Sequence, residues 1–141
     1  MVDHARLARL LARIDDRLVA LRALATDGAT RVRADPHRLG HAKYLFVTGI
    51  EGIIDVSHHV VSSEGWGVPD TNAGALRLLA GRGVIEPEAA DRLVAAVGFR
   101  NVLVHGYAEV DDDRVVAYLD HLGELAGFVT AVTGWAAGQP G

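Results

Sequence analysis

The sequence predicts an all-α protein, an antiparallel bundle of about five helices. Apolar residues recur with helical spacing along most of the 141 residues, and no stretch alternates convincingly with a period of two. Glycine and proline signals separate the helical segments at short intervals. Half of the residues are hydrophobic, which excludes a disordered chain. The length suits one domain over residues 1–141, with a short flexible tail at about 137–141.

The first helix is predicted at about residues 4–25, because its apolar residues follow a strict heptad spacing. After a polar connection at 26–35, Asp35 can cap a second helix that has Pro36 in its first turn. This second helix extends to about Val61. The heptad positions of the first helix are Leu7, Leu11, Ile14, Leu18, Leu21 and Ala25.

Three further helices are predicted in the second half of the chain. A short one at about 71–82 ends in a glycine-rich turn. Pro87 opens the fourth helix and Gly106 stops it. The fifth runs from about 112 to 136 and is capped by the acidic run that begins at Asp111.

Glycines inside the predicted helices need a compensating interaction. Each costs up to about 1 kcal/mol of helix propensity relative to alanine. We expect close approach between helices, within the bundle or across a dimer, at these positions. They are Gly49, Gly52, Gly98, Gly123 and Gly127.

The composition excludes several kinds of chemistry. The chain has no cysteine, so it has no disulfide, no thiolate zinc site and no cysteine nucleophile. Its net charge of −4 argues against a generally basic nucleic-acid binder. The charge is uneven, however, because residues 1–50 carry +4 and residues 51–141 carry −8.

Nothing in the sequence indicates a membrane protein. The amino-terminal residues carry charges where the apolar core of a signal peptide would begin. The longest uncharged run, Leu125 to Gly141, has 17 residues, which is shorter than the roughly 20 apolar residues of a membrane span. We therefore expect a soluble, cytoplasmic protein.

The segment from Phe99 to Tyr107 contains the strongest candidates for chemistry. Arg100, Asn101 and His105 interrupt an otherwise apolar helix. Asn101 and His105 are four residues apart, so they share a face and an Asn101 amide can orient the imidazole. Arg100 lies about 140° around the helix from His105. This divergence predicts a site that another helix or a second subunit completes.

Histidine and arginine together are sufficient to cleave RNA without a thiol or a metal. His105 lies at a helix carboxyl end, where the helix dipole favours imidazolium, and a group that titrates near neutral pH suits acid–base catalysis. The base removes the 2′-OH proton, the oxygen attacks the adjacent phosphate, and Arg100 stabilises the added charge. DNA would be inert. A structural role for both residues stays open on the residues alone.

A second polar set follows one stripe of the second helix. Glu51, Asp55 and His58 are spaced i, i+4, i+7, and His59 lies four residues from Asp55. Such a cluster can ligate a divalent metal, support Arg100 or His105 through hydrogen bonds, or form an ordinary solvated stripe. A metal-dependent hydrolase based on these residues is therefore a further alternative.

The motif Arg100-X4-His105-X-Tyr107 resembles the R-X4-H-X-Y motif of the HEPN superfamily. Its surroundings, from Gly98 through Val110 and Asp111, resemble the HepT-like toxins in particular. The resemblance covers about residues 4–132. It also includes Tyr44-Leu45-Phe46, Ile50-Glu51, Asp55, His58-His59 and Gly83-Val84-Ile85.

The resemblance implies a function and a partner. HepT-like toxins are helical homodimers and metal-independent ribonucleases that need no cofactor, and they form the toxic half of a type VII-like toxin–antitoxin pair. The antitoxin is MntA, a minimal nucleotidyltransferase that adds AMP to the motif tyrosine, here Tyr107. Arg100 and His105 would be catalytic on this basis.

Four further residues are candidates for support or substrate binding, namely Asn101, Glu51, Asp55 and His58. A non-catalytic module that binds nucleotide or the nucleotidyltransferase is the alternative function. The acidic composition mildly favours that alternative, because sequence-independent affinity for RNA depends on basic surface.

Overall fold

The computed structural model describes residues 1–106 and 111–141, and these residues form an all-α bundle, as predicted. A 3₁₀ turn at Leu119–His121 separates the last two helices. The helices are α1 (His4–Asp27), α2 (Ala29–Ala34), α3 (Pro36–Ser63), α4 (Asn72–Gly81), α5 (Pro87–His105), α6 (Asp112–Tyr118) and α7 (Leu122–Ala137).

The helix starts follow the capping chemistry expected from the sequence. The Asp35 carboxylate accepts a hydrogen bond from the backbone N–H of His37 at 2.9 Å, and Pro36 occupies the first turn of α3. Pro87 occupies the first turn of α5, and the Asp111 carboxylate caps α6. Local side-chain chemistry therefore sets where these helices begin.

Two details differ from the prediction. The polar segment 26–35 contains the short helix α2, in which only Val32 is buried, so no apolar repeat indicates a helix there. The fifth predicted helix is divided into α6 and α7 by the 3₁₀ turn, which keeps Leu119 and Leu122 in the core.

Close approach between α1 and α3 explains two of the five helical glycines. A Cβ atom on Gly52 would lie 2.8 Å from Cγ1 of Ile14, and one on Gly49 would lie 3.4 Å from Cβ of Arg17. The other three have nothing within 4 Å in the part of the chain that the structure describes, so close packing does not explain them there. They are Gly98, Gly123 and Gly127.

An aromatic cluster fixes the middle of α5 against α3 and α6. Phe99 is buried, packs edge-on against Phe46 with ring centres 5.4 Å apart, and stacks on Tyr118 at 4.7 Å. The Tyr118 hydroxyl donates a hydrogen bond of 3.1 Å to Glu124. Burial and this carboxylate raise the pKa of Tyr118 well above its usual value. Because Phe99 precedes Arg100, this cluster sets the position of Arg100.

The segment Asp112–Ala137 is long and apolar enough to cross a membrane, by length and composition only. The 3₁₀ turn interrupts it, and 44% of its most apolar window is buried inside the bundle. Its core side chains include Val115, Leu125 and Phe128. Packing within the bundle accounts for its apolar character.

We predict opposite effects when alanine replaces two of these glycines. Gly52→Ala forces its new methyl group against Ile14 and should lower the free energy of unfolding by roughly 1–3 kcal/mol. Gly127→Ala, the matched control in open space, should raise it by up to about 1 kcal/mol through helix propensity. Urea unfolding of the two variants measures both changes. Shifts in the same direction would contradict the packing of α1 on α3.

Candidate active site

Arg100 on α5 reaches across to α3, where Glu51 holds it. Arg100 Nη2 donates to Glu51 Oε1 at 3.0 Å, and Arg100 Nη1 donates to Asn101 Oδ1 at 2.9 Å. The Arg100 side chain is 21% exposed and that of Glu51 is 41% exposed, so the ion pair lies at the edge of the core. The structure thus brings Glu51 and Asn101 together with Arg100.

The guanidinium keeps one donor without an acceptor. Arg100 Nε is buried and has no hydrogen-bond partner among the described residues. Groups of this kind are uncommon in folded proteins and occur at strained or functional positions. The hydrogen bonds to Glu51 and Asn101 therefore fix the plane of the guanidinium, and its Nε–H still lacks an acceptor among the described residues.

His105 is the last residue of α5 and is exposed. The backbone N–H of Gly106 donates to the carbonyl of Val102 at 2.6 Å and closes the helix behind the histidine. His105 lies five positions after Arg100, so the two side chains leave α5 about 140° apart. The imidazole is thus accessible to a ligand at the carboxyl end of the helix.

Asn101 has a different partner from the one expected. Its Oδ1 accepts from Arg100, and no hydrogen bond joins Asn101 to His105 within residues 1–106 and 111–141. A hydrogen bond from a charged guanidinium is stronger than one between neutral groups. Tyr107, the predicted modification site, lies outside the described residues.

The polar stripe of α3 is divided between two neighbours. Glu51 contacts Arg100, whereas a hydrogen bond of 2.9 Å joins His58 Nε2 to Asn72 Oδ1 on α4. Asp55 is exposed and forms no ion pair with a described residue. The described residues contain no group of three or more His, Asp or Glu side chains that could hold a metal ion.

A cleft of about 380 Å³ lies beside Asn101, between α3, α4 and α5. Its wall includes Asn101, Asn72, His58 and Thr71, so it is rich in hydrogen-bonding groups next to Arg100. Sequence reasoning missed Asn72. Its only local signal is its position directly after Thr71, the residue that caps α4, and that position indicates a helix start and no site.

Two curated proteins resemble part of the chain. The mRNA nuclease HepT of Shewanella oneidensis is 34% identical over 71 residues, which are 50% of this chain and 53% of that protein. A putative RNase of Archaeoglobus fulgidus is 33% identical over 82 residues, which are 58% of this chain and 61% of that protein. The aligned segments thus span less than two thirds of either relative.

Solved structures share the fold over nearly the whole chain. A tri-AMPylated HEPN toxin of Shewanella oneidensis, solved in complex with an MNT antitoxin, superposes with a TM-score of 0.85 and 24% identity. The match covers 95% of this chain and 99% of that one. YutE of Bacillus subtilis, a cytosolic protein of unknown function, gives 0.81 at 16% identity, covering 95% and 90% of the two chains.

The predicted family is confirmed, because the chain matches the model that describes that protein family. The description of that family is ribonuclease HepT-like, and the match runs from residue 12 to residue 132. It therefore includes α3, α4 and α5, with Glu51, Arg100 and His105. The chain belongs to the ribonuclease HepT-like family.

Proposed function

We propose that this protein is a metal-independent RNA endonuclease and the toxin of a type VII-like toxin–antitoxin pair. The observation that carries the proposal is the half-buried Arg100, oriented by Glu51, five residues before an exposed His105. The named relatives, an mRNA nuclease and a putative RNase, support the same reaction.

Each residue has a defined part in the proposed reaction. His105 takes the proton from a ribose 2′-OH, and the 2′ oxygen forms a bond to the adjacent phosphorus. The bond from phosphorus to the 5′ oxygen breaks, and the leaving 5′ oxygen takes a proton from solvent water, while His105 returns its proton to solvent. Arg100 stabilises the charge on the phosphoryl oxygens. The products are a 2′,3′-cyclic phosphate and a 5′-OH, and DNA lacks the nucleophile.

A homodimer fits the divergence of the two side chains. Arg100 and His105 leave α5 in different directions, so one copy does not direct both at the same phosphate. The proposed site therefore combines residues of two copies.

The proposed antitoxin is an MNT-type nucleotidyltransferase that transfers AMP from ATP to Tyr107. The fold shared with the tri-AMPylated HEPN toxin in complex with its MNT antitoxin supports this proposal. Tyr107 follows His105 by two residues. Attached phosphates would be attracted to Arg100 and would repel RNA. Because the RNA substrate is intracellular, we place the protein in the cytoplasm.

A second candidate function is a non-catalytic module that binds the nucleotidyltransferase. The net charge of −4 and the isoelectric point near 5.9 favour it, because phosphate backbones are bound mainly by basic surface. On this alternative, AMP transfer to Tyr107 persists while RNA stays intact.

We predict that Arg100→Ala and His105→Ala each abolish RNA cleavage in the presence of EDTA. The loss should be about 10²-fold or more for each, since one removes transition-state stabilisation and the other removes the base. Arg77→Ala is the control, because Arg77 forms an exposed ion pair with Asp91. Gel analysis of a labelled RNA follows the reaction.

Wild-type rates in both variants would refute the catalytic assignment. Cleavage by the wild type that stops in EDTA would instead show that the reaction depends on a divalent metal ion.

We also predict that the purified protein gains mass in units of AMP when incubated with its cognate nucleotidyltransferase and ATP. Tyr107→Phe should gain none, because it lacks the acceptor hydroxyl, and Tyr44→Phe should behave as wild type, because its ring is exposed on α3. Intact-mass spectrometry gives the result. An unmodified wild-type protein would argue against neutralisation by AMP transfer.

A further inference from the structure

We propose that a hollow between α1 and α3 binds phosphate groups of the RNA strand that leads to Arg100. The inference rests on the proposed ribonuclease function and assigns a substrate-binding role to residues outside the motif. This α1–α3 hollow has a volume of about 460 Å³. Its polar lining consists of Arg6, Arg13, Asp55, His58, His59 and Ser62.

The α1–α3 hollow is basic although the protein is acidic. Two arginines face one carboxylate, so the arginine and aspartate side chains of the lining carry +1, whereas the whole chain carries −4. Arg6 and Arg13 are seven residues apart on one face of α1, which places them about 10 Å apart along the helix. Arginine suits phosphate because its planar fork donates two parallel hydrogen bonds.

These two arginines differ from the paired cations of the fold. Arg33, Arg38, Arg77 and Arg100 each lie within 4.0 Å of a carboxylate. Arg6 and Arg13 form no such pair with any residue in the described part of the chain, including Asp55 in the same hollow. Both side chains are exposed, so their donors can reach a ligand.

His59 adds a hydrogen-bonding group to the same wall. Burial and the nearby positive charge of Arg6 lower the pKa of His59, and together they outweigh the opposing effect of the Asp3 carboxylate. Its imidazole is therefore neutral near pH 7 and can donate one hydrogen bond. His58 borders both the α1–α3 hollow and the cleft beside Asn101.

Helix α3 links the α1–α3 hollow to the candidate active site. Glu51, which holds Arg100, lies one helical turn before Asp55 and two turns before His58. Seven residues of helix span about 10 Å. The hollow therefore lies within about two helical turns of the residue that holds Arg100, so one RNA strand can contact both.

The test is binding of an RNA that cannot be cut. A labelled, single-stranded 2′-O-methyl RNA of about 12 nucleotides lacks the attacking hydroxyl but keeps the phosphates. Fluorescence anisotropy at several salt concentrations gives the affinity and its salt dependence for the wild type and for Arg6→Gln/Arg13→Gln. Arg22→Gln/Arg31→Gln is the control, because it removes the same charge from exposed residues outside the hollow.

Arg6→Gln/Arg13→Gln, the hollow variant, should bind the RNA about 10-fold more weakly than the wild type. The slope of its log affinity against log salt concentration should fall in magnitude by about 1.4, since each single-strand phosphate contact contributes roughly 0.7. The control should keep the wild-type slope. Arg6→Lys/Arg13→Lys keeps both charges and should restore the slope, which separates lost phosphate contacts from lost folding.

Equal affinity and slope in the hollow variant and the wild type would overturn the proposal. The proposal would also fail if Arg6→Gln/Arg13→Gln bound RNA normally but sedimented as a different oligomer or no longer bound the nucleotidyltransferase. Arg6 and Arg13 would then contact protein and not RNA. The ribonuclease proposal is read separately, from cleavage of unmodified RNA by the wild type. The ribonuclease proposal can fail while binding of the 2′-O-methyl RNA still depends on Arg6 and Arg13.

Discussion

The ion pair between Arg100 and Glu51 is the constraint on which the geometry of the site depends. It joins α5 to α3 between residues that are 49 positions apart in the chain. Because Arg100 is only 21% exposed, its charge is less screened than that of a surface arginine, and loss of Glu51 would leave it poorly compensated. Phe99 supports the pair from the core, since its contacts with Phe46 and Tyr118 fix the adjacent turn of α5.

The same geometry separates the two proposed catalytic groups. Arg100 is oriented by neighbours within the bundle, whereas His105 lies at the exposed end of α5. One is preorganised to stabilise charge, and the other is free to exchange protons with a substrate. An acidic protein can bind RNA in this arrangement if basic groups are concentrated along α1 and α3 beside the site, where Arg6 and Arg13 lie.

The sequence predicts the parts of this account that depend on local chemistry. Asp35, Pro36 and Pro87 mark helix starts through capping and backbone rules that act over one turn, and the structure confirms them. Arg100 and His105 stand out because polar residues interrupt an apolar helix. Short α2 escapes prediction because a single buried residue, Val32, produces no periodic pattern.

Contacts between helices are harder to predict than helices. Glu51 fits a metal site, a supporting role or a solvated stripe in the sequence, and only the packing of α5 on α3 selects Arg100 as its partner. Asn101 is placed correctly on the helix, but its sequence position does not reveal that its amide oxygen accepts from Arg100. The partnership of His58 with Asn72 depends on where α4 lies, which no local signal encodes.

The central claim is that Arg100 and His105 carry out a metal-free attack by the ribose 2′-OH. Identification of the cut ends tests it most directly, by mass spectrometry of a defined RNA digested with the purified protein in EDTA. We expect 2′,3′-cyclic phosphate and 5′-OH ends, with no cut at a position carrying a single 2′-deoxy substitution. Ends with a 5′-phosphate, or cleavage at the 2′-deoxy position, would contradict it.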